Sequence, residues 1–163
     1  MFALFVNGVY EAVLEEIIAV QSELPEHVMF LQPHATKRIV KLHDAPPSVD
    51  SPIMLYASTT DDLSSVQYEA EIVGYDDKRQ LDDKRERVLN RLIWTLQPGE
   101  GGLYRMRDDG NDYVNLLHVR RMRKLDRPHS VSELRNVKDN EPLAEGRSTS
   151  GGWVYVHPKP GSA

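Results

Sequence analysis

Three consecutive hydroxyls, Ser58-Thr59-Thr60, close an apolar run that begins at Ile53. Hydroxyls at the end of a buried strand can hydrogen-bond the polar edge of a ligand, or cap the turn that Asp61-Asp62 continues; the residue types fit both readings. Arg120, Arg121 and Arg123 are interleaved with apolar residues, a pattern that suits phosphate contacts and equally an ordinary sheet exterior. On a regular strand Arg121 and Arg123 share one face and Arg120 lies on the other. The six histidines (His27, His34, His43, His118, His129, His157) include no i, i+4 pair on a helical segment. That leaves only a dispersed His/Asp arrangement for a metal, and none is expected. With no cysteine there is no disulfide, thiolate ligand or cysteine nucleophile. Gly99, Gly101 and Gly102 lack the order of a phosphate loop, no GxGxxG follows a strand, and no nucleophile elbow is present. Nucleotide hydrolysis and cofactor chemistry are therefore not expected. Trp94 falls in a helical stripe and reads as a core residue, whereas Trp153 opens a terminal strand after two glycines.

The elements that must carry these groups follow from periodicity. Residues 1–6 read as a strand, Asn7-Gly8 as a turn, and 9–24 as an amphipathic helix stopped by Pro25. Segments 27–31 and 36–42 read as short strands, and the proline-bearing 43–52 as a loop. Ile53 to Asp77 contains two strands. The second alternates, with Tyr68, Ala70 and Ile72 on a buried face and Gln67, Glu69 and Glu71 on a wet one. A helix is expected over 82–97, a hairpin around Asp108-Asp109-Gly110-Asn111, a long strand over 112–126, and a closing strand over 153–156. Ser130-Val131-Ser132-Glu133 matches a capping box and predicts a short helix to about Val137. Seven or eight strands and two or three helices without βαβ alternation argue for α+β: a small, curved, mainly antiparallel β-barrel flanked by helices. The reading is one domain over 1–157, with a tail at 158–163.

Composition bounds the function. At 163 residues, 40% hydrophobic and 28% charged, the chain suits one globular domain. No apolar run reaches the ~20 residues of a membrane span, so no membrane partner is expected. Residues 1–36 hold five acids and no Lys or Arg, unlike the basic start of a signal peptide; the expected location is the cytoplasm. The net charge of −5 opposes indiscriminate binding to nucleic acid, but residues 105–127 hold seven bases against four acids. That asymmetry offers a face for an anion, and the acidic N-terminal helix offers a docking surface for a protein partner.

The order of these pieces resembles the PUA-like superfamily. Leu55-Tyr56-Ala57-Ser58-Thr59 followed by Glu69-Ala70-Glu71-Ile72-Val73-Gly74 is similar to the ASCH and EVE branches, and Pro128-His129-Ser130-Val131-Ser132-Glu133-Leu134 looks more like EVE; the YTH branch shares the barrel. The resemblance implies recognition of RNA or of a modified base, in RNA or DNA, flipped into a pocket at one barrel end. Carried over by position, Asn7, Gly8, Tyr56, Ser58, Thr59 and Trp153 line that pocket, and Arg120, Arg121 and Arg123 hold the backbone. The enzymatic ASCH pattern places a Lys-Thr-x-Glu type segment after the first helix. Here Ala35-Thr36-Lys37-Arg38-Ile39-Val40 supplies no acid, so binding is expected rather than catalysis. A small nucleoside or amide hydrolase of ASCH type and a protein-interaction module are the alternatives.

Overall fold

The computed structural model describes residues 1–25, 28–96, 114–144 and 152–160. The fold is α+β: three helices and a six-stranded mixed sheet. In chain order these are β1 (Ala3–Val9), α1 (Glu11–Glu23), β2 (Met29–Leu31), α2 (Val40–Asp44), β3 (Ile53–Thr59), β4 (Ser65–Asp77), α3 (Asp83–Leu96), β5 (Asn115–Ser130) and β6 (Trp153–Val156). Strand order is β2-β5-β4-β3-β1-β6. The β1–β3 pair is parallel, and every other neighbouring pair is antiparallel. Among the described residues β2 and β6 are unpaired with each other, so the sheet is open.

Both faces of the sheet are covered. Leu4, Val6, Leu55, Ala57, Tyr68, Ala70, Ile72, Leu117 and Val119 form the inner face with Leu14 and Ile17 of α1 and Leu42 of α2. Residues of both edges meet this one cluster: Met29 and Leu31 from β2, and the half-buried Trp153 and Tyr155 from β6. The outer face carries two smaller cores, one around Phe5, Tyr56, Val131 and Leu134, the other joining Phe30, Leu116, Leu81 and Leu89. The alternation in β4 is thus right for its inner face, while the expected wet face is largely covered.

Several boundaries differ from the sequence reading. Segment 36–42 is not a strand: Ile39 and Leu42 are buried three residues apart, the spacing of a helical turn, and α2 begins at Val40. Asn7 and Gly8 do not turn the chain. They lie within β1 as a register shift between Val6 and Val9, with Gly8 at φ 71°. The capping box at Ser130 and Glu133 forms, but it starts a single 3-10 turn, Val131–Glu133, after which the chain is extended at Leu134. The predicted hairpin turn at 108–111, the glycines at 99–102 and the Trp94 side chain lie outside the described residues. No described helix is long and apolar enough to cross a membrane.

Candidate functional site: a cleft at the end of β4 and the charged ribbon beside it

Where β4 ends, α2 and the start of α3 rise around it. His43, Tyr75, Asp76, Asp77, Gln80 and Arg85 line a cleft of about 380 Å³, within the size range of small-ligand sites. Tyr75 faces inward and forms its aromatic wall with the His43 ring, whose centroid lies 6.2 Å away. The Tyr75 hydroxyl donates to Asn115 Oδ1 at 2.5 Å and accepts from the Ile39 amide at 3.2 Å. Asn115 in turn donates to the Lys37 carbonyl. Tyr75 is thereby fixed from α2 and from β5.

Burial pushes the Tyr75 phenol up to about 12; the Ile39 amide opposes the rise and the Asp77 carboxylate adds to it. A phenol whose folded pKa exceeds its unfolded value contributes stability below the unfolded pKa of 10.0 and loses it as pH climbs. Stability should therefore fall between pH 10 and about 12, and Tyr75→Phe should flatten that fall in denaturation curves measured across this range.

Asp76 and Asp77 are neighbours with different duties. Asp77 is buried and accepts from the backbone and guanidinium of Arg79. Asp76 takes a two-pronged bond from Arg85 at 3.1 and 2.8 Å, and its Oδ2 lies 2.9 Å from His118 Nε2. Burial works against ionisation of Asp76, but the His118 ring and the Arg85 guanidinium outweigh it and hold the carboxyl below the ordinary range. His118 itself lies against Gly74, where a Cβ would come within 2.6 Å of Nδ1, and edge-on to Phe30.

Beside this cleft a row of basic side chains runs along the outer face of the β4–β5 ribbon. His118 and Arg120 alternate with the inward Leu117 and Val119. The next step breaks the alternation. Glu69 pairs with Arg123 and Glu71 with Arg120, so β5 has one more residue in this interval than β4, and Arg121 adopts φ 53°. The bulge turns Met122 into the core, and its amide donates to the buried Gln21 of α1. It also corrects the facing expected from the sequence: Arg120 and Arg123 now share a face. Arg120 bonds Glu71 at 2.7 Å and the Val49 carbonyl, Arg121 reaches the other Glu71 oxygen at 3.5 Å, and Arg123 bonds Glu69. Arg120 is buried, whereas the side chains of Arg121 and Arg123 stay 52% and 63% exposed.

The residues expected to line a barrel-end pocket are brought together only in part. Ser58 Oγ donates to Asn7 Oδ1 at 2.7 Å and accepts from the Gly8 amide at 3.0 Å, and the Asn7 amide donates to the Gly152 carbonyl. Asn7, Gly8 and Ser58 thus form a clasp across β1 and β3, with the backbone before Trp153 attached. Ser58 and Thr59 are fully buried, and Thr59 forms an isolated bridge to Asp62. Tyr56 is buried in the outer core, and its hydroxyl accepts from the Lys159 amide. Trp153 is half-buried against the inner core, beside Tyr155. Removing the Ser58 hydroxyl takes a donor from the buried Asn7 Oδ1 and an acceptor from the Gly8 amide. Ser58→Ala should cost roughly 1–3 kcal/mol in urea denaturation.

One polar cluster had no counterpart in the sequence reading. The buried Tyr68 hydroxyl lies 2.9 Å from Glu11 Oε2 and 2.6 Å from Glu15 Oε1, and Lys124 Nζ stands near both carboxylates. Two acids of the helix expected to offer a docking surface are therefore turned to the sheet. The signal for this lay in Glu11 and Glu15 at i, i+4 spacing; their partner, 53 residues from Glu15, carried none. The cleft, likewise, depends on His43, Asp76 and Arg85 meeting from three elements, with His118 of a fourth against Asp76. No cluster of three or more His, Asp or Glu fit to hold a metal occurs among the described residues. No family model, curated protein or solved structure matches the chain.

Proposed function

We propose that this protein binds nucleic acid, with the strand lying along the β4–β5 ribbon and one unstacked base entering the cleft at the end of β4. The observation that carries this is the joining of two features. A cleft of about 380 Å³ with an aromatic wall, Tyr75 and His43, opens beside a ribbon where Arg121 and Arg123 keep more than half of their side chains in solvent. Aromatic rings stack on any base, and exposed guanidinium groups meet phosphates. The Gln80 amide, which can donate and accept, suits the polar edge of a base.

The reading keeps the expected partner and moves the base. The hydroxyl cluster at Ser58 is satisfied by its own neighbours, so the pocket is assigned to the other end of β4. We also assign the sheet a near-closed barrel shape. Both edge strands contribute to one inner core, and the segment after β2 lies between them: the Ala35 carbonyl accepts from Val114 at the start of β5, and the His34 carbonyl packs on Gly152 at the start of β6.

Hydrolysis is less well supported. Asp76 and Asp77 are both engaged by guanidinium groups, and neither is left as a general base. Filter binding of RNA and DNA oligonucleotides against salt tests the proposal. Affinity should fall with salt, and the salt slope should be lowered by roughly 2 in the Arg121→Ala/Arg123→Ala double variant. An unchanged slope would remove these arginines from the interface.

A further inference from the structure

A second feature, independent of the cleft, lies at the β1–β6 edge. Phe2 and Tyr155 meet edge to face at 5.2 Å and 82°, and Trp153 meets Tyr155 at 5.0 Å and 61°. These three half-buried rings stand steeply to one another, as the walls of a box do. An ammonium already sits against two of them: Lys41 Nζ is 5.1 Å from the Phe2 centroid and 4.7 Å from that of Tyr155. Both distances are within the range of cation–π attraction.

The base of the lysine is fixed and its head is not. The Lys41 amide donates to the Tyr155 hydroxyl, which anchors α2 to the edge strand, while the residue as a whole is exposed. Its flexible four-carbon stem lets the head leave without moving the backbone. Burial raises the Tyr155 phenol, the Lys41 amide opposes this, and the Asp44 carboxylate adds to the rise, so the ring stays a neutral phenol.

We propose that Phe2, Trp153 and Tyr155 form a cage for a methylated ammonium carried on the lysine side chain of a peptide, with Lys41 as the resident ligand that such a group displaces. Methylation spreads the charge over a larger, more weakly hydrated head, so it loses less on leaving water than the primary ammonium it replaces. The rings then attract both species, and the difference in hydration favours the visitor.

Fluorescence anisotropy of the full chain with a labelled peptide carrying trimethyl-lysine tests this, with the same peptide carrying the neutral tert-butyl isostere as control. The charged peptide should bind at least about 5-fold tighter than the neutral one. Lys41→Gln should tighten the charged peptide by a similar factor, because the internal competitor is gone. Adding Phe2→Leu or Tyr155→Leu to Lys41→Gln should abolish that preference, with circular dichroism confirming the fold. Equal affinity for charged and neutral peptides would reduce the rings to an apolar patch and overturn the proposal. So would an absence of binding in Lys41→Gln, or an affinity that Lys41→Gln leaves unchanged.

Discussion

Glu71→Ala is expected to lower stability by about 3–5 kcal/mol. Glu71 and Arg120 expose only 11% and 10% of their side chains, and their 2.7 Å bond joins β4 to β5 next to the bulge. Removing the carboxylate leaves a guanidinium charge held in the outer face against the Val49 carbonyl. Arg121, which reaches the same carboxylate, loses that contact too. The neighbouring pair supplies the contrast. Glu69→Ala removes a partner from Arg123, whose side chain is 63% exposed, and water replaces most of what is lost. Its cost should stay under about 1 kcal/mol. Urea midpoints of the two variants, measured together, check the difference; equal losses would mean that burial does not govern these pairs.

Gly152→Ala should cost roughly 2–5 kcal/mol, combining left-handed backbone strain with overpacking. Gly152 sits at φ 77°, and a Cβ there would lie 2.5 Å from the His34 carbonyl oxygen. That obstacle is backbone and cannot rotate away. The residue also supplies the carbonyl that accepts from the Asn7 amide. The substitution should therefore loosen the β1–β6 edge ahead of the rest of the molecule. Hydrogen exchange should quicken at the Asn7 and Lys41 amides while the β4–β5 amides keep their protection. Uniform loss of protection would show that this edge is not a separable unit.

Much of the fold was legible because it is written in short-range periodicity. The alternation of Tyr68, Ala70 and Ile72 gave the inner face of β4, the spacing of Leu14 and Ile17 gave the buried side of α1, and Ser130 with Glu133 gave the capping box. Errors arose where one residue changes the period. The extra residue at Arg121 put Arg123 on the face of Arg120, and nothing in Arg120-Arg121-Met122-Arg123 marks a bulge. At 36–42 the β-favouring Thr36, Ile39 and Val40 suggested a strand, but Ile39 and Leu42 both reach the core only if the chain coils. The site was less legible still. Asn7, Gly8 and Ser58 meet in the fold, where the Ser58 hydroxyl bonds both of the others. The cleft residues His43, Asp76 and Arg85, and His118 beside Asp76, are each ordinary in sequence and informative only once packing joins them.

The proposed role rests on one strand of nucleic acid using both the ribbon and the cleft. The direct measurement is fluorescence of single-stranded RNA and DNA oligonucleotides carrying one 2-aminopurine, titrated with protein at low salt. The account predicts a change in base fluorescence as the probe leaves its stack. His43→Ala, which removes one aromatic wall, should weaken binding by roughly 5-fold or more and suppress that change, while Arg121→Ala/Arg123→Ala should weaken binding and leave the change in the bound fraction intact. Absence of binding to any RNA or DNA at low salt, or binding with a base signal indifferent to His43, would contradict it.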